Sequence, residues 1–171
     1  MGDHEWTPEH QAIHDGAEAD REFAEAKLLN AAADGLGVTA DFLDSIGLDE
    51  AAKAAQAAAD AERVAALIDT QQGIAYSAVA TEWLIAGNDL KLQARAQGQA
   101  YVAGNRAEAA EERLGDQDLS EREKTAAQLD AARAYAEEGV FERRADELGD
   151  SAKTVIELAE GMERMARQLD D

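Results

Sequence analysis

The sequence predicts an all-α fold: an elongated bundle of four to six helices, one or two of them very long, with a coiled-coil-like seam at the C-terminal end. Three observations predict it. Strand signals are nearly absent, since apolar/polar alternation never persists and the single proline is Pro8. Alanine, the strongest helix former, fills ten of the sixteen positions from 51 to 66. The C-terminal segment repeats its apolar residues at alternating spacings of four and three.

In chain order, Thr7-Pro8-Glu9 reads as an N-cap, a proline at the first helical position and an acidic first turn, opening a helix over 8–34 that Gly35 closes. Thr39 caps a short helix over 39–46, with Phe42, Leu43 and Ile46 on its apolar side and Gly47 as its stop. A long helix is expected over 50–86, about 55 Å at 1.5 Å rise per residue, up to the break signal Gly87-Asn88-Asp89. A further helix is expected over 90–114, ended by Gly115. Ser120 with Glu123 three residues on forms a capping box that starts the last helix, 121–169. Gly149-Asp150-Ser151 allows a kink or break there, but the seam keeps its phase across it, which favours continuity. These elements read as one all-helical domain over 1–171.

The seam runs through Phe141, Ala145, Leu148, Ala152, Val155, Ala159, Met162, Ala166 and Leu169. Every second member is alanine, so a partner helix can come close. Phe141, Leu148, Val155, Met162 and Leu169 are its larger knobs, and charged Glu157, Glu160, Glu163, Arg164 and Arg167 flank it. Gly73, Gly98 and Gly104 fall inside helical pattern, as local breaks or as points of close crossing. The few aromatics are expected to anchor the core, with Trp6 stapling the first turn or docking on a partner.

Charge bounds the function. There are 37 acidic against 16 basic residues, a formal net charge of −21, and only five of the basic residues are lysines. Such a surface suits molar salt, where the Debye length is roughly 3 Å and self-repulsion is screened. Nucleic acid is not an expected partner, because phosphate neutralisation needs a basic stripe, and Arg143-Arg144 sits among Glu137, Glu138, Glu142, Asp146 and Glu147. A membrane is not expected either: no apolar run is long enough to span one. With no cysteine and no apolar leader, the expected location is cytoplasmic, or particle-associated in a virus.

Chemistry is thinly signalled. His10 and His14 lie one helical turn apart and, with Glu9, are the candidate metal ligands; His4 precedes them. No third ligand is fixed by the spacing, and no cofactor is expected. A di-iron bundle needs Glu-x-x-His on two helices, whereas Met1, Thr7 and Gln11 stand three residues before the histidines. Gly35–Ala40 matches a dinucleotide fingerprint by letters, but no strand precedes it. The expected function is a non-enzymatic assembly or adaptor protein, a multi-copy subunit of a larger complex such as a virion or connector, whose partner is protein. The alternatives are a metal-binding helical bundle using His10 and His14, and a small acidic regulatory or chaperone-like binder.

Overall fold

The computed structural model describes residues 7–116 and 118–169. It is all-helical, with three helices: α1 (Pro8–Ser45), α2 (Asp49–Leu114) and α3 (Glu121–Gln168). Trp6 and His4 lie outside the described residues.

The expected count of four to six helices is therefore corrected to three. The stretches 8–34 and 39–46 are one helix, as are 50–86 and 90–114. Each glycine inside a helix costs about 1 kcal/mol relative to alanine, but here the buried stripe continues through it. On α1, Ala26, Ala33 and Ala40 are buried, with half-buried Leu29 and Leu36 between them and Leu43 after them, in one phase across Gly35 and Gly37. Thr39 caps nothing; its Oγ1 donates back to the Gly35 carbonyl at 2.9 Å. On α2, Gly87 is itself buried, one heptad after Ala80. Helix α3 runs unbroken across 149–151.

The true ends carry full terminal chemistry. Thr7 Oγ1 accepts from the His10 amide at 3.3 Å. At the end of α1, Gly47 has φ +78°. Its amide donates to Asp44 O (2.9 Å), and the Leu48 amide donates to Leu43 O (3.0 Å), the paired bonds of a Schellman stop that a Cβ would strain. The capping box of α3 forms: the Ser120 amide donates to Glu123 Oε2 at 2.9 Å and the Glu123 amide to Ser120 Oγ at 3.4 Å.

The chain packs as two compact units, Met1–Leu84 with Ile156–Asp171, and Ile85–Val155. In the first, the buried members of α1 are Ala12, Asp15, Ala19, Glu22, Ala26, Ala33 and Ala40. Those of α2 include Ala52, Ala59, Ala66, Gly73 and Ala80. The alanines recur every seven residues on both helices, so small side chains stay on one face. Phe23 lies over Gly73, where an added Cβ would come within 2.8 Å of its ring. Toward the start of α1, the end of α3 joins as a third helix. Ala12, Val79, Trp83 and Ala159 form a cluster with Ile156 and Met162, and Ala19, Tyr76 and Ala166 form another with Phe23 and Ala75.

The second unit pairs α2 with α3. Its buried hydrophobic residues are all alanine: Ala86, Ala96, Ala100, Ala103, Ala107 and Ala110 on α2, and Ala127, Ala131, Ala134, Ala145 and Ala152 on α3. Two glycines take long polar side chains from the facing helix. An added Cβ at Gly104 would stand 2.6 Å from Glu138 Oε1, and one at Gly149 2.5 Å from Gln93 Nε2. Both are close approaches, whereas Gly98 has nothing within 4 Å of its Cβ position.

Candidate functional site

The residues singled out in the sequence are placed as follows. His10 is exposed at the first turn of α1. His14 is half-exposed and sets its Nδ1 3.2 Å from Asp15 Oδ1. Neither belongs to a set of three ligating side chains among the described residues, and Glu9 is half-buried beside them on the first turn. On the α3 seam, the alanines at 145, 152, 159 and 166 are buried and Phe141, Leu148, Val155 and Met162 are half-buried. Leu169, past the end of α3, is 51% exposed.

The structure adds two buried carboxylates, Asp15 and Glu22. Asp15 is fully buried on α1, between Ala12 and Ala19. Its oxygens accept from Gln11 Nε2 at 3.4 and 3.5 Å. The same amide reaches Glu163 Oε1 of α3 at 3.4 Å, and Glu163 is paired with Arg167. Glu163 is thus part of a polar contact between helices rather than a free flank of the seam.

Glu22, 3% exposed, is one heptad further along. Arg21 meets it at 2.8 Å, Glu18 at 3.0 Å and Glu25 at 3.8 Å. The hydrogen bond to Glu22, followed by the charge of Glu18, pushes the guanidinium above its ordinary range. Glu22, Glu25 and Asp69 bring carboxylate oxygens within 4.8 Å of one another. The ion pairs of Arg21 with Glu22 and Glu25 lie within α1, and Asp69 of α2 comes up beside those two carboxylates. The signal for both buried acids was the spacing Ala12-Asp15-Ala19-Glu22-Ala26, three and four residues apart on one face.

The larger feature is the exterior. Of the 25 buried hydrophobic residues among those described, 22 are alanine; the others are Tyr76, Val79 and Trp83. Many of the large apolar side chains are outside. On α1, Leu28, Val38 and Phe42 are 61–71% exposed; on α2, Val64, Leu67, Tyr101 and Val102 are 57–71% exposed; on α3, Leu129 and Met165 are 61–64% exposed. The aromatics divide accordingly: Tyr76 and Trp83 anchor the interior, while Phe42, Tyr101 and Tyr135 do not.

Among the described residues no helix is long and apolar enough to cross a membrane. No family model, curated protein or solved structure matches the chain.

Proposed function

We propose that this chain is a non-enzymatic helical assembly protein, a multi-copy subunit that acts through its helix faces and is adapted to high salt. One observation carries the reading: alanine makes up most of the buried apolar residues, while many large aliphatic and aromatic side chains are more than half exposed. Alanine burial contributes little, at roughly 25 cal/mol per Å² of apolar surface, so much of the apolar area available to this sequence is left for contact with other chains.

Seven-residue spacing of the covered alanines supports coiled-coil-like packing, with Phe141, Leu148, Val155 and Met162 as the larger knobs of the α3 seam. The carboxylates drawn into the α1–α3 contact, Asp15 and Glu163, are held by Gln11 and Arg167. They position helices, as buried polar groups with satisfied partners do. The formal charge of −21 sets the working condition, because contact between like-charged copies needs screening.

Light scattering in molar KCl tests this. A defined oligomer is expected, together with a melting temperature that rises from dilute buffer to molar KCl. A single-chain mass at every salt concentration overturns the reading.

A further inference from the structure

Resting on the assembly reading, we infer that an arginine-walled groove in Ile85–Val155 receives the aspartate-bearing α1–α2 hairpin end of a second copy of this chain.

The groove lies between α2 and α3, close to the turn that joins them. It has a volume of about 330 Å³ and is lined by Arg106, Ala109, Ala110, Arg113, Ala127, Asp130, Arg133, Ala134 and Glu137. Its floor is alanine. Arg106 is tied to Glu137 across the two helices. Arg113 and Arg133 make no ion pair among the described residues. Three guanidiniums thus face two carboxylates, on a chain with a formal charge of −21. One turn further along the same helix faces, at the usual i,i+3/i+4 spacing, Val102 and Val140 are 57% and 52% exposed.

The hairpin end of α1 and α2 has the opposite character. A groove there of about 310 Å³ is lined by Ala40, Asp41, Asp44, Asp49, Ala52, Lys53 and Gln56. Lys53 is its one cation and is already bonded to Glu50 at 3.1 Å. Asp41 and Asp44 lie near the C-terminus of α1, where the helix dipole already places partial negative charge. No basic residue stands in that last turn. Two of the groove's three carboxylates, Asp41 and Asp44, thus stand where an isolated helix would favour cations, while Asp49 opens α2, where the dipole favours an acid. The same end exposes Phe42, Ile46 and Leu48 by 51–61%.

The two ends match in charge and in apolar content. Arginine offers planar, forked donors to carboxylates, and the exposed valines of one end suit the apolar tip of the other. Charge complementarity of this kind selects partner and register. The contact joins unlike surfaces, so it propagates head to tail, giving a ring where the rotation closes and a filament where it does not.

The test uses the full chain, at the lowest KCl concentration that gives full helical circular dichroism. Arg113→Glu with Arg133→Glu, and separately Asp41→Arg with Asp44→Arg, are each expected to keep helicity and fall to the single-chain mass of 18.3 kDa. The two variants shift net charge in opposite directions, so a common loss is not a net-charge effect. Mixed together, they offer each other one native and one swapped pair, and the mass is expected to recover. A second measurement leaves every charge in place. The chain has no cysteine, so Ser45→Cys mixed with Ala109→Cys is expected to give a cross-linked pair that neither variant gives alone.

A wild type that is itself a single chain overturns the assembly reading and this contact together. A wild type that assembles, with both charge variants still assembling, leaves the assembly reading standing and overturns this contact. Loss in each variant without recovery on mixing, or no cross-link between positions 45 and 109, also overturns it.

Discussion

The two compact units use one packing rule and reach different ends. Met1–Leu84 with Ile156–Asp171 brings three helices together around Trp83, Val79 and Tyr76, and it buries Asp15 and Glu22 with partners. Ile85–Val155 is a two-helix pairing whose buried hydrophobic residues are alanine throughout. The first unit holds 22 acidic and 6 basic residues, a balance of −16; the second holds 15 and 10, a balance of −5. Five of the six basic side chains in the first, Arg21, Lys53, Arg63, Arg164 and Arg167, are paired with carboxylates on their own helix. In the second, Arg113 and Arg133 are left for other use. The difference teaches that a seven-residue alanine repeat sets how closely two helices approach, while the larger buried side chains come in where a third helix joins. Two antiparallel helices with methyl-sized knobs remove little apolar area from water.

The largest effect that separates the units is truncation of Trp83. Trp83→Ala removes the biggest side chain of the three-helix cluster and should cost about 3–5 kcal/mol, read as a lower urea midpoint. No buried alanine of the other unit offers a truncation of that size. A cost under 1 kcal/mol would mean that Trp83 does not anchor its unit and that the contrast fails.

Enlargement tests how tightly the two-helix pairing is packed. Ala103 is fully buried in the two-helix pairing. Ala103→Leu should cost about 1–3 kcal/mol by forcing the helices apart, while exposed Ala132→Leu should stay within about 0.5 kcal/mol. Equal melting temperatures for the two variants would show that the pairing is loose enough to absorb a leucine.

Smaller still is the cap of α1. Thr7→Ala removes the acceptor for the His10 amide and should cost about 1 kcal/mol, seen as fraying of the first turn in amide exchange. An unchanged exchange rate there would place the anchor of α1 in its seam alone.

The smallest effect is one of pH at the start of α3. The Ser120 hydroxyl, and after it the Ser120 amide, hold the Glu123 carboxyl below its ordinary value. A carboxylate lowered by folding stabilises the fold above its unfolded pKa, and that contribution fades as pH falls through the lowered one. Glu123→Gln should remove this part of the acid dependence near the first turn of α3. A wild-type and a variant turn that fray alike across the whole acid range would contradict it.

Much of the fold was legible because terminal chemistry is local. Thr7-Pro8, Gly47 and the Ser120–Glu123 box each sit where the helices begin or end. The internal stops at Gly35 and Gly87 were misread because a glycine's local cost was weighed without the seam that spans it. Ala33, Leu36 and Ala40 keep phase through the first, and Gly87 is a covered member of the second. The α3 seam was read on its correct face, but its alanines, not its larger knobs, are the buried members. Asp15 and Glu22 were hidden by their type: an acidic residue on a very acidic chain looks solvated until the residues three and four positions away are seen to be buried alanines. The arginine groove was not legible at all, because Arg106, Arg113 and Arg133 lie on two helices and meet only when those helices pair.

Native-state amide exchange, followed by mass spectrometry at high and low protein concentration, tests most directly whether the alanine-only pairing is completed by other chains. Protection across residues 100–137, and across the α1–α2 hairpin end from 36 to 56, should fall on dilution, while residues 76–83 and 156–166 in the three-helix cluster keep theirs. Equal protection of all four segments at both concentrations would contradict it, because the two-helix pairing would then be stable by itself.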